Sequence, residues 1–360
     1  MSAKDPEKFS AKKMVSIYCV ASPLHYLCAS QIREHHDTCE RQIILYYRSG
    51  LTSLIDIKIW KEIIYAPWPR FEPLPGLFGK QRRLISNIKN LAALVGQVDE
   101  VHFHSPVFDT EAINYYLHGL RVLCGNPDIK ARILPDGVMN LSSRPMPLSK
   151  RLGQYLRKLR RLTSPLLNYW CFSGDRIGSD ASFVDRIYTL PDLPSPYAKH
   201  KVHPIRLWDN PSGLQQKGGA SKVLIVGQPL CGIGLLDARQ VRQISMMIAD
   251  WLKAQGVQEV YYKPHPRDPE HEFQVAGSQV LEITVPLEQH LLQAPYSAIV
   301  GVDSTTLLLA KQMFGASIAV HSFGMNLLKN ATTESIVQLR QIMKNTGIIM
   351  HDAPSSPLTH

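Results

Sequence analysis

What most constrains this chain is a recurring pattern in which a short apolar strand stops abruptly and gives way to a helix start. Met14 to Ala21 (MVSIYCVA) is rich in β-formers and ends at Ser22-Pro23-Leu24-His25, where Ser22 can cap a helix whose first position is Pro23. Lys222 to Gly227 (KVLIVG) is a second strongly apolar strand and runs into Gln228-Pro229-Leu230. Ala298 to Val302 ends at Asp303-Ser304-Thr305-Thr306, which opens the helix LLLAKQMF. Strands are also expected at Gln42 to Tyr47, Glu100 to His104, Ala131 to Leu134, Glu259 to Tyr262 and Val280 to Thr284. Helical stretches fall at Gln81 to Val95 and Asp237 to Gln255, with a short helix over Pro286 to Gln293. Strands alternating with helices imply parallel sheets, and in open parallel sheets ligands sit at the carboxyl ends of the strands.

With 360 residues the chain has room for two domains, each able to bury a core. Prolines crowd the stretch from Leu190 to Gly219, which ends in Gln-Gln-Lys-Gly-Gly. The expected division is a disordered leader over 1–13, a Rossmann-like domain over 14–195, a linker over 196–219, a second Rossmann-like domain over 220–352 and a frayed tail over 353–360. Hydrophobic residues make up 44% and charged residues 19%, as in a globular protein. No apolar run approaches the roughly 18 to 20 residues of a spanning helix, and Met1 to Phe9 is polar, so a cytoplasmic location is expected. Six cysteines without a CxxC pair or metal-ligand spacing read as reduced, buried hydrophobes.

The net charge of +10 calls for an acidic partner: nucleic acid, an anionic membrane or a phosphorylated or carboxylated substrate. Nucleic acid is not expected, because no binding motif with interleaved aromatics occurs. The segment Lys150 to Arg161 is basic, with Leu152, Leu156 and Leu159 near helical spacing, and could rest on anionic headgroups.

Chemistry concentrates at three strand ends of the second domain. Lys263, His265 and Arg267 alternate with Pro264 and Pro266 after the Tyr261-Tyr262 strand, giving a stiff cationic loop suited to phosphate. Glu288 offers a carboxylate to the hydroxyls of a ribose, and Gly227-Gln228 lie at another strand end. Ser304, Thr305 and Thr306 offer hydroxyls and backbone N–H groups at a helix N-terminus, which attracts an anion without a metal. Each has an ordinary alternative, since Ser304 can simply cap its helix and Glu288 can simply face solvent. In the first domain, Asp136 is held between Pro135 and Gly137 after a strand, where an Asp is commonly a turn former.

In order and spacing these segments resemble the two-domain bacterial sialyltransferases, including the capsular polysialyltransferase group. The family's acidic-acidic-Gly motif is matched by Asp136-Gly137, its His-Pro motif by His265-Pro266 and its Ser/Thr pair by Ser304-Thr305, while Glu288 after Pro286-Leu287 and the opening Ser22-Pro23-Leu24 look like further counterparts. Pro135 departs from the pattern, since it stands at the motif's first acidic position.

The resemblance implies two Rossmann-like α/β domains facing across a cleft, the arrangement called GT-B. The first would bind the acceptor and the second CMP-sialic acid. Asp136 would act as general base, and His265, with Lys263, Pro266, Ser304, Thr305, Gly227 and Gln228, would hold the nucleotide phosphate, while Glu288 takes the ribose. It further implies inversion, no metal, no cofactor beyond the donor substrate, and a galactose-terminated oligosaccharide acceptor of capsule or lipooligosaccharide type, worked on at the inner face of the cell membrane. The alternatives are another CMP-activated acid (Kdo, pseudaminic or legionaminic acid), a UDP-sugar 2-epimerase-like isomerase, and a non-catalytic binder of anions or nucleic acid.

Overall fold

A computed structural model of the chain describes residues 12–136, 141, 145–191, 193–208, 221–283, 285–294, 296–329, 331 and 333–354. The expected leader up to residue 11, Gly137, residues 209–219 of the expected linker and 355–360 of the expected tail lie outside these. Two compact units are present: Met1–Asp136, Ser143–Pro191 and Pro196–Leu207 form the first, and Gly137–Ser142, Asp192–Ser195 and Trp208–His360 the second.

The first unit is built on strands β1 (Met14–Val20), β2 (Arg41–Tyr46), β3 (Glu62–Tyr65), β4 (Glu100–Ser105), β5 (Asp128–Ile133), β6 (Val184–Thr189) and β7 (Val202–Pro204), all parallel in the order β3-β2-β1-β4-β5-β6-β7. Helices α1 (Pro23–His35), α2 (Gly79–Val95), α3 (Glu111–Leu123) and α4 (Leu148–Leu159) connect them. Ser22 caps α1 by accepting from the His25 N–H at 3.3 Å, with Pro23 in the first turn, as the sequence implied. Ile17, Ile43, Val101, Phe103 and Ile133 are fully buried, with Ile88 and Leu91 of α2 and Leu117 and Leu120 of α3 in the same cluster. Each such side chain contributes about 1.5–3 kcal/mol. Gly119 allows α3 to approach α2, since a Cβ there would lie 2.4 Å from Ile88 Cγ2.

The stretch 196–219 was expected to be linker; instead 196–207 belongs to the first unit, and Val202–Pro204 pairs with β6. Its proline is tolerated because β7 is the sheet's edge strand, where a missing N–H breaks no ladder.

Helix α4 packs in reverse of the usual sense. Its one fully buried residue is polar: Gln154 donates to Met146 Sδ at 2.7 Å and accepts from the Phe172 N–H at 2.9 Å. Leu148, Leu152, Leu156 and Leu159 are exposed.

The second unit carries β8 (Lys222–Val226), β9 (Glu259–Lys263), β10 (Gln279–Val280), β11 (Ala298–Gly301), β12 (Ala319–Phe323) and β13 (Ile349–His351), parallel in the order β10-β9-β8-β11-β12-β13. The strand expected over 280–284 is only the pair Gln279–Val280, and Thr284 lies outside the described residues. Its helices are α5 (Ala238–Ala254), α6 (Leu287–Gln293), α7 (Thr305–Phe314) and α8 (Glu334–Asn345). Leu224, Ile225, Tyr262, Ile299 and Val300 lie in the core against Ile244 and Ile248 of α5 and Leu307 and Leu308 of α7. In both sheets the first strand of the unit is flanked by the second and the fourth, so the direction of winding reverses beside it. That reversal opens a crevice at the carboxyl ends of β1 and β4 in one unit and of β8 and β11 in the other.

Candidate functional site

In the second unit the crevice is framed by the residues that follow β8, β9 and β11. Lys263 closes β9 beside Val226 of β8, and its carbonyl accepts from the Gly227 N–H at 2.9 Å. Position 227 has no room for a side chain, because a Cβ would lie 2.4 Å from Tyr262 Oη. Gln228 then crosses the reversal point. Its Nε2 donates to Asp303 Oδ1 at 2.6 Å, and its Oε1 accepts from the Val302 and Asp303 N–H groups, both at 3.2 Å. One side chain thereby fixes the loop after β8 against the loop after β11, which delivers Ser304 to the start of α7. Ser304 caps that helix by accepting from the Thr306 N–H at 3.2 Å, and Thr305 is its first residue. Gly227, Gln228, Lys263, Ser304 and Thr305 thus share one edge of the sheet.

The loop after β9 is held from below. Buried Asp268 accepts from the Tyr262 hydroxyl at 2.7 Å and from the Glu272 N–H at 3.1 Å, while the Asp268 N–H donates to the His265 carbonyl at 2.9 Å. Glu272 in turn accepts from the Cys231 and Gly232 N–H groups at 2.7 and 2.9 Å, fixing the segment after Gln228. His265 Nδ1 accepts from the Arg267 N–H at 3.1 Å, so the neutral ring carries its proton on Nε2, as a donor to an anion needs. Burial first, and then the Arg267 and Lys263 cations, lowers the His265 pKa. Burial also lowers Lys263. Pro266 and Arg267 are exposed in the turn.

Two carboxyls in this unit are raised above the ordinary carboxylate range by burial: Asp303, despite its Gln228 hydrogen bond, and Glu288 in the first turn of α6. On the same helix, burial and the charge of Lys263 lower His290, which also contacts the Tyr296 hydroxyl at 2.9 Å. Among the described residues Lys263 and Arg267 pair with no carboxylate, and two such cations at a strand end favour an incoming anion.

In the first unit, Asp136 follows β5 and meets a partner that sequence reasoning missed. His25, in the first turn of α1 and 4% exposed, lies with Nε2 2.9 Å from Asp136 Oδ1. The Ala21 N–H donates to His25 Nδ1 at 3.3 Å, so the Nε2–H faces the carboxylate. The available signal was His25 itself, the fourth residue of Ser22-Pro23-Leu24-His25, which the cap places at the carboxyl edge of the sheet. Tyr47, whose hydroxyl pKa is raised by burial and by the Cys19 and Asp136 groups, lies against Trp68 with ring centroids 4.4 Å apart and the planes tilted by 40°.

Asp37, Cys39 and His102 also gather in the first unit, each offering a ligand atom within 4.8 Å of the others, which the cysteine spacing did not suggest. These atoms are already engaged. The Tyr18 hydroxyl donates to Asp37 at 2.5 Å, Cys39 Sγ contacts His102 Nδ1 at 3.3 Å, and His102 Nε2 contacts Glu100 at 2.6 Å, while burial and then the Arg132 cation disfavour positive charge on His102. The cluster is a hydrogen-bonded part of the core.

A model of the alpha-2,8-polysialyltransferase family matches residues 189–322, a span that includes every candidate residue of the second unit. No curated protein matches the chain. Solved structures similar to it include UDP-GlcNAc 2-epimerase from Methanocaldococcus jannaschii (10% identity, 92% of this chain and 93% of that one, TM-score 0.48) and Arabidopsis thaliana UGT89C1 complexed with UDP-L-rhamnose (12%, 97% and 87%, 0.49). MurG of Acinetobacter baumannii is a third (10%, 96% and 87%, 0.45). The family match is consistent with a glycosyltransferase of the sialyltransferase type.

Proposed function

We propose that the chain is an inverting, metal-independent sialyltransferase that moves a sialic acid from CMP-sialic acid to a hydroxyl of an acceptor glycan, with a galactose terminus as the first acceptor to test. The observation that carries this reading is the edge of the second sheet, where Gln228 ties two strand ends together beside Lys263 and the N-terminus of α7. Backbone N–H groups and a lysine converging on a reversal point suit a nucleotide phosphate. In this reading His265 donates its Nε2–H to the phosphate of the leaving CMP, Lys263 and Ser304-Thr305 offset the charge that grows as the glycosidic bond breaks, and Glu288 accepts from the ribose hydroxyls. Asp136, oriented by His25, takes the proton of the attacking hydroxyl, and a single displacement inverts the anomeric centre. A cation and a helix N-terminus supply what a metal would otherwise supply to a phosphate leaving group.

No helix among the described residues is long and apolar enough to cross a membrane. For an enzyme building surface glycans, this reading puts the work at the inner face of the cell membrane, with the basic segment 150–161 in contact with it.

Thermal denaturation with CMP, UDP or an oligonucleotide tests the class, since a ligand at about 100 times its Kd adds about 2.7 kcal/mol to stability. Stabilisation by CMP alone, with sialyl transfer from CMP-sialic acid to a galactoside, is expected. A shift with UDP and none with CMP would favour the 2-epimerase-like reading instead.

A further inference from the structure

The first unit holds a cavity of about 610 Å³ that the proposed transfer does not use. It opens among the start of α2, the start of α3 and the inward side of α4. Six cations line it, Arg70, Lys80, Lys150, Arg157, Arg160 and Arg176, against two carboxylates, Asp109 and Glu111. Those carboxylates are taken: Arg157 (at 3.3 Å) and Arg160 pair with Glu111, and Arg176 pairs with Asp109 at 2.9 Å. Among the described residues Arg70, Lys80 and Lys150 have no carboxylate in reach. The wall adds neutral donors as well. The first turn of α2 has no side-chain cap over its N–H groups. Such a cavity is built for a compact anion with several acceptor oxygens.

The rim says what carries that anion. Phe78, which lines the cavity, is 73% exposed, and in the same loop Phe71 and Leu77 are 76% and 84% exposed. Phe78 is moreover held at φ 57°, a left-handed conformation costly for a side chain that gains nothing from water. The other wall is α4, which turns Gln154 and Arg157 inward and leaves Leu148, Leu152, Leu156 and Leu159 in solvent. A free sugar or phosphate would use the cations and leave these apolar groups bare, whereas a lipid uses both.

The geometry points to a docking site for an anionic membrane: the phosphate of a lipid headgroup enters the arginine-lined cavity, while the leucine face of α4 and the Phe71–Phe78 loop sink to the acyl boundary on either side. It extends the contact through 150–161 to a defined headgroup site and a second anchor, and it stands whatever the chain transfers.

The test uses the full chain with sedimenting vesicles of phosphatidylcholine alone or mixed with phosphatidylglycerol. Binding to the mixed vesicles only, weakened by salt, is expected. Arg70→Glu with Lys80→Glu should lower partitioning roughly 30-fold or more, since each basic residue near the surface is worth about fivefold. Leu152→Asp with Leu156→Asp should abolish binding with an unchanged melting temperature, because both residues are exposed. Equal binding to neutral vesicles, or binding that survives either pair of changes, would overturn the proposal. So would protection of the cavity by inorganic phosphate or by an oligosialic acid with no vesicle binding, which would assign it to a soluble anion.

Discussion

Replacing Asp136 by Asn removes a proton acceptor and keeps the side chain's size, so it separates chemistry from local architecture. In the proposed mechanism kcat should fall about 100- to 10,000-fold, the usual worth of a positioned general base, while CMP affinity, which depends on the other unit, stays put. The structure adds a second perturbation. The His25 Nε2–H contacts Asp136 Oδ1 at 2.9 Å from an almost wholly buried ring, and a hydrogen bond to a charged group is worth about 1.5–3 kcal/mol. If that bond serves to aim the carboxylate, His25→Ala should cost about 10- to 100-fold in kcat, and in the Asp136→Asn background almost nothing further. The assay is steady-state sialyl transfer to a galactoside for the two single variants and the double variant, with calorimetry of CMP binding for each. Multiplicative losses in the double variant would show that His25 acts independently of Asp136. Near-normal turnover of Asp136→Asn, or loss of CMP binding with activity, would refute the base assignment.

Gly227→Ala should destabilise the protein by about 1–3 kcal/mol, read as a fall in melting temperature, because its Cβ would press on Tyr262 Oη at 2.4 Å. Ser304→Ala should cost about 1 kcal/mol through the lost cap and weaken CMP binding about tenfold or more; a melting shift with unchanged affinity would leave only the capping role. His104 is fully buried, and desolvation with the nearby Arg132 cation lowers its pKa to about 3. The unfolded chain therefore binds a proton below about pH 6.5 that the folded chain refuses, and stability falls by roughly 1.4 kcal/mol per pH unit from there toward pH 3. His104→Phe keeps a ring for the stack on Tyr18 and should flatten urea midpoints between pH 6.5 and 4 relative to the parent.

Where the sequence was readable, local rules matched the environment the tertiary fold supplies. Ser22-Pro23 and Ser304-Thr305 start helices because caps act within three residues, and KVLIVG is a strand because a central parallel strand is apolar on both faces. The alternation of elements was therefore visible from the residues, and with it the parallel sheets. Strands whose apolar run is broken by polar residues were harder: β6 contains the half-buried Asp185 and Arg186, and β12 the buried His321 and Ser322. The candidate site was legible as separate strand ends, but its bracing was not. His25 and Asp136 are 111 residues apart, and Gln228 and Asp303 are 75 apart, so only the topology of the sheets brings them together. The basic segment Lys150 to Arg161 was read for its charge, whereas the burial of Gln154 beneath it depends on Met146 and Phe172.

The interleaved division of the chain bears on how the second unit could be produced alone. Leu141 is buried in the core of the second unit and Leu193 packs against it, yet both precede the point, Trp208, from which that unit runs continuously. A recombinant fragment begun at residue 208 would therefore lack two of its own apolar side chains, and at about 24 cal/mol per Å³ of vacated space such gaps are expensive for a small α/β body. Expression trials are better served by grafting residues 137–142 and 192–195 back through short linkers than by moving the start codon along the proline-rich stretch, because the missing pieces are distant in sequence and not merely upstream.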